Sequence, residues 1–285
     1  MPHSCAIGSL DRRDFLAMLG AGIVAAATAA AAAGCTRSPL APVASAQPAN
    51  PPRRVVTLPT TEPPPPLPPI PVPHAGQPMV VSHAPVVTQQ IAITIDDGYC
   101  EECVAGYVDF AERTGVRLTL SPNGLFQQIW DRYAPRLAPL IATGQVQIAN
   151  HTWSHPNLLM LGDSAIRREI ERNESWIQAT FGVTGRPWFR PPYGKHNSHT
   201  DGLAARLGYT KIVLWNASLG DAALLTPEQL LGQADKWLKA GAIVLGHANH
   251  PTVTHVFDQL QAIIADRQLE PVTLDTMFGT SRATG

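Results

Sequence analysis

From residue 88 onward the apolar positions switch repeatedly between a strand-like and a helix-like period. Ile91-Ala92-Ile93-Thr94-Ile95 is a short, β-branched run ending in Asp96 and reads as a strand. Residues 101–114 read as a helix closed by Gly115, 116–120 as a second strand, 131–143 as a second helix, and 146–149 as a third strand delivering Asn150 and His151. A longer helix capped by Asp163 or Ser164 carries Ile166, Ile170, Ile177 and Phe181 on one face and stops at Gly182. A short helix over 201–207 and a strand over 211–215 follow. Thr226-Pro227-Glu228-Gln229 is a capping box with proline at the first helical position, opening a helix that ends before Gly241. Residues 242–246 form a strand delivering His247, then come a helix over 255–266 and the run Val272-Thr273-Leu274. Strand followed by helix, repeated, predicts an α/β fold with a parallel sheet or barrel under helices. Polar residues stand where strands end, at Asp96, Asp97, His151, Asn216 and His247, the end at which such barrels carry their chemistry.

The front of the chain has neither period. Arg12-Arg13-Asp14-Phe15-Leu16 precedes an alanine-rich stretch from Ala17 to Ala33, the pattern of an export signal rather than of a spanning helix, and the paired arginines point to the twin-arginine route. Ala32-Ala33-Gly34-Cys35 resembles a bacterial lipobox, with Ala where Leu is usual. Cys35 is then either the acylated first residue of the mature chain, anchoring it to a membrane, or simply follows an ordinary cleavage site that releases the protein. Between Pro39 and Pro85 stand 16 of the 27 prolines, which excludes helix and sheet ladders and predicts an extended spacer of about 3 Å per residue. The expected organisation is an export signal over 1–35, a proline-rich linker over 36–87 and one folded domain over 88–285.

A formal net charge of −1 leaves no basic face for phosphates, which argues against nucleic acid as a partner. Of the four cysteines, Cys5 lies in the signal and Cys35 in the lipobox. Cys100 and Cys103 remain as a CxxC pair in an oxidising compartment, readable as a disulfide stiffening the loop beside Asp97 or as a redox pair at a helix N-terminus.

The candidate chemistry centres on His151-Thr152-Trp153-Ser154-His155 and Thr94-Ile95-Asp96-Asp97-Gly98. Histidines four apart share one face of a helical turn, so both imidazoles converge on one ion if the segment is helical. One of the two aspartates completes a set of three ligands with an open fourth position, the form of a catalytic zinc site, and leaves the other as a base. Neighbouring strand residues face opposite ways, so both aspartates serve one site only if the strand ends there, and Gly98 permits that turn. The alternative is a pair of unrelated histidines and an acidic turn.

Together with Arg190-Pro191-Pro192-Tyr193-Gly194 and Ile243-Val244-Leu245-Gly246-His247, these segments resemble, in order and spacing, the motifs of the polysaccharide deacetylases, carbohydrate esterase family 4. The resemblance covers residues 88–276 and implies a distorted (β/α) barrel with fewer than eight full strands, about seven. It implies Asp97, His151 and His155 as metal ligands and Asp96 as general base. It further implies Arg190 as the partner of Asp96, the Tyr193 backbone N–H as an oxyanion donor and His247 as general acid. The family's fourth motif offers two aspartates and a tryptophan. Here Trp215-Asn216-Ala217-Ser218-Leu219-Gly220-Asp221-Ala222 keeps only Asp221, which either pairs with His247 or caps an unrelated turn. Trp153, Trp188, Tyr193 and Trp215 line a sugar groove or are simply packed, and His250 is expected to be a loop residue.

The expected function is removal of N-acetyl groups from amino sugars of an envelope or extracellular polysaccharide, with peptidoglycan favoured and chitin-type oligosaccharide as the other substrate. The expected metal is Zn2+, with Co2+, Mn2+ and Ni2+ as alternatives. An O-acetyl esterase, or a glycan-binding lipoprotein without turnover, are the alternative functions. The expected location is outside the cytoplasm, lipid-anchored at the cell membrane or in the envelope, with secretion as the alternative.

Overall fold

The computed structural model describes residues 75–280. The expected export signal, Cys35 and most of the expected linker lie outside the described residues. Strand β1 spans Met79–Val81, β2 Gln90–Asp97, β3 Leu118–Pro122, β4 Val146–Ile148, β5 Trp188–Phe189, β6 Lys211–Val213, β7 Ala217–Ser218, β8 Ile243–His247 and β9 Glu270–Val272. Helices α1 (Glu101–Thr114), α2 (Gln127–Ala142), α3 (Asp163–Phe181), α4 (Ser198–Arg206), α5 (Pro227–Trp237) and α6 (Phe257–Asp266) alternate with strands from β2 onward, save between β6 and β7, and α7 (Leu274–Phe278) follows β9. Among the described residues no helix is long and apolar enough to cross a membrane.

The longest strand, β2, is buried along nearly its whole length, as its unbroken apolar run requires of a strand covered on both faces. It pairs in parallel with β8 on one side, while β9 and then β3 pair with its first and last residues. Beyond β3 comes β4, also parallel. From there a single parallel bridge between Asn150 and Phe189 reaches β5, and β5 pairs with β6. The next few residues change partner. β6 lies between β5 and β1, whereas β7, four residues on, pairs with β8. Asn216 makes the changeover by donating its N–H to the Ile243 carbonyl and accepting the Ile243 N–H on its side-chain oxygen. A ring running β2, β3, β4, β5, β6/β7, β8 results, the expected distorted barrel of parallel strands.

Several boundaries differ from expectation. The domain does not begin at residue 88: Met79–Val81 pairs with β6, and His83 bridges Ala242, filling the gap where β6 and β8 diverge. Flanking Pro78 and Pro85 conceal this short run in the sequence. Helix α2 starts at Gln127 rather than 131 and contains Pro135 and Pro139, both on its exposed side. Neither Asp163 nor Ser164 caps α3; Gly162 holds that position with no side-chain bond. The strand expected over 211–215 stops at Val213 because the partner changes there.

Candidate active site

Asp96 stands in register with Ser121 of β3 and His247 of β8. Register partners in a parallel sheet share a face, so Asp96 and His247 project to the same side. Asp97 would face away, but its φ of 70° ends the strand and turns it back. Gly98 continues the turn at φ 116°, where a Cβ would lie 2.1 Å from Trp130 Nε1, and that nitrogen donates to the Asp97 carbonyl. Four of the five non-glycine residues with positive φ among the described residues are Asp97, Thr152, His155 and Tyr193. Each such conformation costs on the order of 1–3 kcal/mol and persists only where its surroundings fix it.

The expectation of a helical turn at 151–155 is corrected: the segment is an irregular turn with Thr152 at φ 67° and His155 at φ 56°. The reversals at these two residues, rather than a helical rise, bring the imidazoles together, with centroids 4.8 Å apart. Buried amides hold the turn from behind. Asn123 donates to the carbonyls of His151 and Thr152, and Asn150 accepts the Thr152 N–H.

One oxygen of Asp97, Oδ1, lies 3.5 Å from His151 Nε2 and 3.7 Å from His155 Nε2, and a ligand atom from each of the three residues falls within 4.8 Å of the others. Two atoms each about 2.1 Å from a tetrahedral ion stand about 3.4 Å apart, so the donor set fits a divalent cation. His151 Nδ1 is 2.7 Å from the Arg190 carbonyl. A carbonyl only accepts, so in the neutral ring Nδ1 carries the proton and Nε2 turns its lone pair toward Asp97. Burial and then His151 push His155 down to about 4, against the pull of Asp97 and Asp96, which leaves its ring neutral near pH 7.

Asp96 is fully enclosed. Burial alone raises its pKa, but Arg190 first, then His151, His247 and Ser121, outweigh it and hold the carboxyl below its ordinary value. The Arg190 guanidinium lies 3.4 Å from Asp96 Oδ2 and donates to Thr94 Oγ1. The hydroxyl of Ser121, in register with Asp96 on β3, acts on the same carboxyl from that neighbouring strand. Across from it, Asp221 takes both the N–H and the ring Nδ1–H of His247 at 2.9 Å. Burial lowers the His247 pKa, but the Asp221 hydrogen bond and charge, followed by Asp96 and Asp97, raise it overall.

These groups open into a cleft of about 380 Å³ whose apolar wall is Pro191, Tyr193, Gly194, Trp215, Ala222 and Leu245. Of the four aromatics left open by the sequence, Tyr193 and Trp215 line it. Trp188 is fully buried with its N–H on Asp275, and Trp153 is covered by the Arg172 guanidinium. His250 meets the Tyr99 hydroxyl rather than the three-residue donor cluster. Cys100 and Cys103 form a disulfide at the start of α1. Sequence reasoning missed Asn249, which donates to Asp97 Oδ2 at 2.7 Å, and Thr94, which braces Arg190. Thr94 stands two residues before Asp96 and so faces the same way, a signal that strand alternation carries.

The family model described as polysaccharide deacetylase matches residues 84–212, ending before Asp221 and His247. The peptidoglycan-N-acetylglucosamine deacetylase PgdA of Listeria monocytogenes is 28% identical over 200 residues, covering 67% of this chain and 39% of that protein. This chain therefore spans well under half the length of that relative. A chitin deacetylase of Pestalotiopsis is 29% identical over 208 residues, covering 69% of this chain and 66% of its own length. Among solved structures, a CE4 family pseudoenzyme from Bacillus anthracis superposes with a TM-score of 0.63 at 20% identity, covering 70% of this chain and 69% of that one. That likeness shows the shared fold.

Proposed function

We propose that this chain, whose residues 84–212 match the polysaccharide deacetylase family, hydrolyses N-acetyl groups of an envelope polysaccharide, peptidoglycan first, with a divalent metal, Zn2+ first. One observation carries the reading. Asp97, His151 and His155 present three donor atoms to a single point, with a buried, Arg-paired Asp96 on one side and an Asp-paired His247 on the other.

Asp97, His151 and His155 would hold the ion, which would supply polarisation of the acyl oxygen and a water that is a usable nucleophile at neutral pH. Asp96 is the base that takes the proton from attacking water, and Arg190 keeps it ionised for that step. The Tyr193 N–H, at a left-handed turn in the cleft wall, is the donor we assign to the developing oxyanion. His247, kept protonated by Asp221, passes a proton to the departing amine, without which the tetrahedral species reverts. Tyr193 and Trp215 offer apolar surface to the sugar and its acetyl methyl. The signal over residues 1–35 and an acylated Cys35 would place this chemistry at the outer membrane surface, within reach of the wall.

Acetate release from N-acetylglucosamine oligomers and from purified peptidoglycan tests the reading. We expect release by the metal-loaded protein, loss on chelation, recovery with added zinc and loss in Asp96→Asn. Comparable release by the parent and Asp96→Asn would remove the assigned base. If neither protein releases acetate from N- or O-acetylated glycans yet both retain glycan affinity, the domain is a binding protein.

A further inference from the structure

We propose that Asn249 is a positioning residue for Asp97 and, through it, sets the affinity and geometry of the metal site. This rests on the reading of Asp97 as a ligand. The two oxygens of that carboxylate have divided tasks: Oδ1 faces both imidazoles, and Oδ2 accepts the Asn249 side-chain N–H at 2.7 Å. Without that bond the carboxylate is free to rotate about its last torsion and exchange or share its oxygens. An amide donor suits the task better than a lysine or arginine because it brings no charge to compete with a cation.

Asn249 is itself held. It is 8% exposed, and its side-chain oxygen faces the Gly98 N–H at 3.4 Å, so one amide spans the turn that reverses Asp97. The backbone on either side is tied across as well. The Ala248 N–H donates to the Asp96 carbonyl at 3.0 Å, and the Cys100 N–H to the Ala248 carbonyl at 3.2 Å. The loop following the acid His247 is thereby the loop that orients the ligand Asp97. Hydrogen-bond partners of metal-bound carboxylates typically contribute about ten- to a hundredfold to metal affinity.

The test uses the full chain and zinc, with dissociation constants measured by competition against a chromophoric chelator. Asn249→Leu keeps nearly the same volume without the donor, Asn249→Ala removes both, and Asp97→Asn is the reference for losing the ligand. We expect zinc affinity to fall about ten- to a hundredfold in both Asn249 variants, less than in Asp97→Asn. The visible spectrum of the cobalt-loaded protein should change, while urea unfolding of the metal-free Leu variant stays near the parent. Should either folded Asn249 variant hold zinc as tightly as the parent while Asp97→Asn does not, the positioning role is wrong and the metal reading stands. If the parent and Asp97→Asn bind zinc equally, Asp97 is no ligand and the inference falls with that reading.

Discussion

Asp96 and His247 occupy the same register position on adjacent parallel strands, β2 and β8, so the proposed base and the proposed acid are fixed by one strand pairing. Each has a separate carboxylate or guanidinium that sets its protonation: Arg190 for Asp96, Asp221 for His247. Each limb of a pH–rate profile should therefore respond most to loss of its own partner, with a smaller effect passed across because Asp96 and His247 also feel each other's charge.

Asp221→Asn removes the charge that keeps the His247 pKa raised and leaves the burial that lowers it. Because His247 must be protonated to donate, the alkaline limb of kcat should move to lower pH and the acid limb should move less. At the optimum the loss should reach roughly tenfold or more. A profile with an unmoved alkaline limb would sever the link between Asp221 and the acid.

Arg190→Met acts on the other limb. It strips Asp96 of the largest of the effects that lower its pKa, with burial still raising it. The base must be ionised, so the acid limb should shift upward. A carboxylate left buried and unpaired should also destabilise the fold by about 3–5 kcal/mol, read from urea unfolding at neutral pH. Asp96 is the depressed-pKa case: the stability its pairing contributes is present above the unfolded pKa and lost as pH falls through the folded one. The parent–variant difference should accordingly narrow in acid. A constant difference across pH would assign the cost to packing.

At Gly98 a methyl group meets the Trp130 indole at a positive φ. Gly98→Ala should cost about 2–3 kcal/mol and weaken zinc binding together, since the same turn carries Asp97. An alanine variant with parental stability and zinc affinity would show that the turn relaxes without consequence.

The Cys100–Cys103 bond closes a loop so short that its removal should lower stability by roughly 2 kcal/mol, a fall in Tm of about 4–8 °C. Cys103→Ser and reduction of the parent should have equal effects. Disulfide reductase activity in the parent would instead favour the redox reading.

How much of this was readable beforehand depended on length and on distance along the chain. Helix α1 is long and amphipathic, and its expected span and Gly115 stop match the structure, as does the Thr226 capping box. Strands β5 and β7 have two residues each, too few to show any period, and β1 hides between prolines. The clustering of Asp96, Asp97, His151, His155 and His247 was legible because few side chains can hold a cation or move a proton, and all of these but His155 stand at strand ends. Their arrangement was less so. The 151–155 turn owes part of its shape to Asn123, 28 residues before His151, and no local pattern encodes such support. Asn249 escaped notice for the same reason, its partner Asp97 being 152 residues earlier.

The change of partner between Val213 and Ala217 divides responsibility within the cleft. Arg190 and Tyr193 follow β5 on one side of that break, whereas Asp221 follows β7 and hangs from the sheet that carries His247. Residues 222–224, just beyond Asp221, are exposed, with Ala222 in the cleft wall, whereas Leu225 is tied through its carbonyl to the Thr252 hydroxyl. Exchange of the exposed side chains at 222–224 would thus reshape one rim of the cleft while the strands that carry Asp97 and His247 keep their pairing.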